Sequence, residues 1–111
     1  MVALKELFPT DPDDRATVEK VLREHPRTAR FVERLQEHAR HMFGAPVITL
    51  STRQYDDWDP PLTVSIYADF PPDEFEDRYL QLVRWMNDNP DYDLDAVTVL
   101  LRRRSSEATG R

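Results

Sequence analysis

Leu62-Thr63-Val64-Ser65-Ile66-Tyr67-Ala68-Asp69-Phe70, followed at once by Pro71-Pro72-Asp73-Glu74-Phe75-Glu76-Asp77, is the stretch whose reading decides the fold. Its first part alternates, with Leu62, Val64, Ile66 and Ala68 against Thr63, Ser65, Tyr67 and Asp69, which is the period of a strand with one wet face. Its second part begins a helix. Proline suits the first turn, where its missing N–H has no intrahelical partner to lose, and carboxylates there meet the positive end of the helix dipole. The period then becomes three and four, placing Phe75, Tyr79, Leu82, Val83 and Met86 on one apolar stripe that ends near Asp88, before Pro90. Residues 96–103 alternate again, with Val97, Val99 and Leu101 against Thr98, Leu100 and Arg102. A strand, a helix and a strand in that order allow the two strands to run parallel with a right-handed crossover.

Working toward the N-terminus, residues 47–52 read as a further strand. The polar, acidic and proline-rich residues 55–61 between it and Leu62 read as a hairpin loop. Two helices precede it. Thr10-Asp11-Pro12-Asp13-Asp14 is a helix-start signal, so residues 12–24 form the first and bury Val18, Val21 and Leu22. Residues 26–43 form the second, opened by Pro26, closed by Gly44 and Pro46, and striped by Phe31, Val32, Leu35, Ala39, Met42 and Phe43. The chain is therefore expected to be α+β: two N-terminal helices and then ββαβ, giving a three-stranded mixed sheet with helices on one face and the other face open. Strand 47–52 is expected in the middle. Thr49, Ser51, Arg53, Thr63, Ser65, Tyr67, Thr98 and Arg102 would line the open face. One domain over residues 1–104 and a frayed polar tail over 105–111 complete the organisation.

Composition sets limits on function. The chain has 111 residues, 40% of them hydrophobic, enough for a single core. With no cysteine, disulfides, thiolate nucleophiles and Cys-ligated metal sites are excluded. Gly44 and Gly110 are the only glycines, too few and too far apart for a Walker loop or a GxGxxG turn. No apolar run approaches the roughly 20 residues that cross a bilayer. The expected location is the cytoplasm, with no membrane and no cofactor.

The net charge of −6 is unevenly spread. Residues 1–45 are neutral, residues 46–101 sum to −9, and residues 102–111 sum to +3. In the proposed topology the loop after strand 47–52 and the loop after the last helix share one end of the sheet. Asp56, Asp57 and Asp59 would meet Asp91, Asp93 and Asp95 there, around Trp58 and Tyr92. Such a rim suits docking of a basic protein, with the two rings as anchors; aspartate is also an ordinary turn residue that keeps loops solvated. Calcium fits poorly, because counting from Asp91 puts Ala96 where an EF-hand loop needs glycine and Arg102 where it needs glutamate.

Arg102, Arg103 and Arg104, with Arg53 and Tyr67 on the open sheet face, give an alternative, a platform for single-stranded nucleic acid. The acidic segment before the arginines opposes it, so protein rather than nucleic acid is the expected partner, and self-association stays open. Glu37, His38 and His41 share a helix face but lack HExxH spacing and a third ligand, so they read as surface histidines. No serine lies in a glycine elbow and no histidine falls in the half that holds the strands, so an enzyme is not expected.

Several pieces together resemble a group of small, uncharacterised acidic bacterial proteins. They are His25-Pro26 ahead of a helix closed by Phe43-Gly44, the strand 47–52, the loop Asp56-Asp57-Trp58-Asp59-Pro60, the strand 62–66 and the proline- and acid-led helix after it. The likeness spans residues 25–86. Some members are encoded beside a helical partner in toxin and antitoxin-like gene pairs, which implies a protein-binding, neutralising role and brings no catalytic residues. The arginine-rich end departs from the group, whose members tend to finish in an acidic strand.

Overall fold

The computed structural model describes residues 8–9, 15–52, 58 and 60–103. Its elements are β1 (Phe8–Pro9), α1 (Arg15–Glu24), α2 (Pro26–Phe43), β2 (Val47–Ser51), β3 (Leu62–Ala68), α3 (Phe75–Asp88) and β4 (Val97–Arg103). A single 3-10 turn, Pro72–Glu74, leads into α3. The class is α+β, and the order of helices and long strands is the one read from the sequence. The stretch expected to open the first helix, residues 12–14, lies outside the described residues.

Local chemistry explains the boundaries. The His25 N–H donates to the Val21 carbonyl at 3.0 Å and its own carbonyl accepts from Ala29 N–H at 2.9 Å, so one residue closes α1 and opens α2. Pro26 then occupies the first turn of α2, where it loses no bond. At the other end Gly44 takes φ +86° and donates its N–H to the Arg40 carbonyl at 2.8 Å. A side chain would be strained in that conformation, and the reversal feeds the chain into β2.

The sheet departs from expectation in strand order. β3, not the 47–52 strand, is central among the three long strands: β2 pairs with it antiparallel and β4 parallel. The physical reason lies in burial. Leu62, Val64 and Ile66 are wholly buried along the seven alternating residues of β3, which is long enough to pair along its whole length with β4 and over five residues with the shorter β2. The crossover through α3 is therefore direct, with no strand inserted between β3 and β4. Beyond β2 the two-residue β1 adds a parallel edge, pairing Phe8 with Thr49 and Pro9 with Leu50, which the sequence pattern did not indicate.

Val18 and Leu22 of α1, Phe31, Val32, Leu35 and Ala39 of α2, and Leu82 and Met86 of α3 meet the inward residues of the sheet in one core. The opposite face keeps Thr49, Ser51, Thr63, Ser65, Tyr67 and Thr98 half-buried. Phe75 and Tyr79, expected inside, are exposed. They extend a row of rings across the surface: Phe43 to Phe70 at 5.7 Å, Phe70 to Phe75 at 6.0 Å and Phe75 to Tyr79 at 6.0 Å. Ring contact satisfies the first turn of α3, while Leu82 and Met86 are its buried residues and Trp85 packs against the core. Arg78 ties this turn to α2, binding Glu74 at 3.0 Å and donating to the Met42 carbonyl at 3.4 Å. Among the described residues, no helix is long and apolar enough to cross a membrane.

Candidate functional site

Register fixes which loops are neighbours. Leu62 pairs with Val97, so the loop that leads into β3 and the loop that leads into β4 emerge at one end of the sheet. That is the end where the acidic rim is expected. Trp58 projects there with 87% of its surface exposed, and Leu94 with 68%. Two large apolar side chains in water at one sheet end, flanked by aspartates, form the candidate site. Arg53, Asp56, Asp57 and Asp59 lie outside the described residues.

The second loop is built by its own aspartates and asparagine. Asn89 Oδ1 accepts the Asp91 N–H at 2.9 Å and Asp93 Oδ1 accepts the Asp95 N–H at 2.9 Å, two successive side-chain turns. The Asp93 carbonyl then accepts from Ala96 at 2.9 Å and Val97 at 3.1 Å, which delivers the chain into β4. Asn89 and Asp93 thus shape the backbone of the loop through their side chains.

Two members of the expected rim are used internally. Asp91 meets Arg30 of α2, Nε to Oδ2 at 3.4 Å, and its side chain is mostly buried. Arg27 donates to the Pro90 carbonyl at 2.8 Å, a second clamp from the same helix face. The sequence reading missed both arginines because it summed charge by segment, whereas folding lays the start of α2 across the loop after α3. Tyr92 is likewise an internal anchor: its ring lies 5.1 Å from Phe31 and packs on the core edge. Burial pushes its phenol above the usual range, with Tyr79 adding to the shift, so it stays neutral. Of the remaining loop aspartates, Asp95 is exposed and Asp93 is half-buried. Leu94 is the residue that the rim reading passed over, although a lone leucine between two aspartates was a visible signal of an exposed apolar contact.

The residues of the nucleic-acid alternative are partly brought together. Val47, Tyr67 and Arg102 form one cross-strand row on the open face, so the Tyr67 ring and an exposed guanidinium are neighbours in register. Arg103 pairs with Ala68 and belongs to the other face. Arg104 lies outside the described residues.

Between α2 and α3, Arg34, Glu37, His38, Trp85 and Asn89 surround an open hollow of about 300 Å³. His38 stacks on Trp85 with ring centres 4.5 Å apart and planes 6° from parallel. Burial, and secondarily His41, hold its imidazole below the usual histidine range. Among the described residues no cluster of three histidine or acidic side chains is arranged to hold a metal ion. Compared with known protein families, with curated proteins and with solved structures, the chain matches none. The reading of the site rests on its own geometry.

Proposed function

We propose that this protein is a binding module that docks a basic protein through the loop end of its sheet. The exposure of Trp58 and of Leu94, on two loops that leave the same end of the sheet, carries the reading. Ordinary surfaces scatter single apolar residues, while an indole and a leucine at one sheet end, each in a sequence rich in aspartate, have the composition of an interface centre and its polar rim. Asp93 and Asp95, with Asp56, Asp57 and Asp59 close to Trp58 in sequence, supply the negative field that attracts and orients a cationic surface. The resemblance to small acidic bacterial proteins makes the partner the product of an adjacent gene and the role neutralisation of that product.

Co-expression of the untagged adjacent product with this chain tests the reading. Co-purification that Trp58→Ala abolishes supports it; co-purification insensitive to Trp58→Ala and to Leu94→Ala sinks it. The row Tyr67–Arg102 favours a second reading, stacking and phosphate contact with single-stranded nucleic acid on the open face.

A further inference from the structure

The two edges of the sheet are unlike. On the β1 side the edge is two residues long and includes Pro9, which has no N–H to offer, a common way of blunting an edge. On the β4 side it is a seven-residue strand, Val97-Thr98-Val99-Leu100-Leu101-Arg102-Arg103, whose first five residues carry no proline and no charge. Among the described residues nothing pairs with its outer side. Such an edge is a template for another strand.

The flank above it is partly apolar. Tyr79, Val83 and Met86 of α3 face Val97, Thr98 and Val99 of β4 across a hollow of about 240 Å³. Tyr79 is 41% exposed, Leu80 beside it in α3 is 43% exposed, and Leu94 stands at the head of the strand. Two of the large exposed apolar residues, Tyr79 and Leu94, thus border one strand.

We propose that β4 pairs antiparallel with β4 of a second copy, joining two sheets into one across a two-fold axis. Charge selects both the occupant and the direction. β4 is preceded by Asp93 and Asp95 and ends in Arg102 and Arg103, so the strand is acidic at its head and basic at its tail. Parallel pairing would set arginine beside arginine. Antiparallel pairing about Val99 sets Asp95 against the partner's Arg103, twice by symmetry, with Val97 opposite the partner's Leu101 and Thr98 opposite the partner's Leu100. The Asp95–Arg103 and Val97–Leu101 pairs fall on the helix face and the Thr98–Leu100 pairs on the open face, so each pair joins residues of one face. The two α3 helices then lie antiparallel on the same face, covering Tyr79 and Leu80. This surface is separate from the Trp58 contact, and the pure protein suffices to test it.

Sedimentation equilibrium of the purified chain is expected to give twice the 13.1 kDa monomer mass. Asp95→Arg alone and Arg103→Asp alone are each expected to weaken the dimer about tenfold or more, the effect of losing roughly 1.4 kcal/mol. The double variant, which restores opposite charges across the axis, is expected to recover most of it. Circular dichroism on each variant separates loss of pairing from loss of fold, and Leu80→Glu, on the outer side of α3, gives an independent route to the monomer. A monomer at every concentration overturns the proposal and leaves the edge to a strand of another protein. A dimer indifferent to both single reversals, or a double variant no better than the singles, overturns it equally.

Discussion

The imidazole of His38 lies flat on the indole of Trp85, 4.5 Å between ring centres, and this contact joins α2 to α3 at the open hollow between them. Desolvation favours the neutral ring, so its folded pKa lies below the 6.5 usual for histidine, which the unfolded chain retains. Below pH 6.5 the unfolded chain therefore binds the proton more readily. The stability present above that pH is lost as pH falls through the folded value. In a Trp58→Phe background, Trp85 fluorescence is expected to be quenched on acidification with a midpoint below 6.5. A midpoint at or above 6.5 would contradict the stacked, desolvated geometry.

Ile66 occupies the centre of the sheet, paired with Ile48 on one side and Leu101 on the other, all facing the helices. Ile66→Ala leaves a cavity and is expected to cost about 2 to 5 kcal/mol in a denaturant melt. Ser65→Ala, on the half-buried opposite face, is expected to cost little. Equal losses would mean that both faces are packed.

That central position shows how far the sequence could be read. The alternation at Leu62 to Ala68 and the proline-led helix after it identified the strand, the crossover and the inward face without ambiguity. Strand order was not legible, because hairpin and crossover lengths are compatible with β4 on either side of the β2–β3 pair, and only the total burial of Leu62, Val64 and Ile66 separates the two. Phe75 and Tyr79 misled because periodicity reports which residues share a stripe, not how much of the stripe the sheet covers. At the loop end the sequence showed the aspartates and Trp58. It could not show Arg30 against Asp91, a contact 61 residues apart in the chain that exists only once α2 crosses the later loop.

Tyr92 and Trp58 were indistinguishable in sequence as aromatics among aspartates, and the structure gives them opposite surroundings. Tyr92→Ala removes a ring packed on Phe31 and is expected to lower stability by about 2 kcal/mol or more. Trp58→Ala, at an exposed position, is expected to change stability by less than about 0.5 kcal/mol. Thermal or denaturant melts of the two variants check this, and a larger loss from Trp58→Ala would place that ring in the core.

Nucleic acid offers a clean test of the second reading. The Tyr67–Arg102 row must act within a chain of net charge −6, and repulsion is expected to keep affinity for mixed single-stranded DNA or RNA weaker than about 100 μM at physiological salt. Fluorescence anisotropy measures it. Micromolar binding lost on Tyr67→Ala and Arg102→Ala would make the open face the functional one.

The acidic rim and the indole should separate kinetically in any complex with a basic partner. Long-range attraction depends on the summed field of Asp56, Asp57, Asp59, Asp93 and Asp95, and acts before contact, so it governs association. Asp57→Asn with Asp59→Asn is therefore expected to slow association and flatten its dependence on salt, while leaving dissociation nearly unchanged. Trp58 acts after contact. If its ring is buried at the centre of the interface, Trp58→Ala is expected to speed dissociation and to cost about 2 kcal/mol of affinity, with association little altered. Asp91→Asn serves as the internal control, because Asp91 already meets Arg30 and contributes least to the outward field. Its substitution should disturb the loop after α3 more than the binding rate. Surface kinetics at several ionic strengths would resolve all three variants. Aspartate variants that only stabilise the protein by relieving mutual repulsion, with both rates untouched, would show that the rim serves solvation of the loops alone.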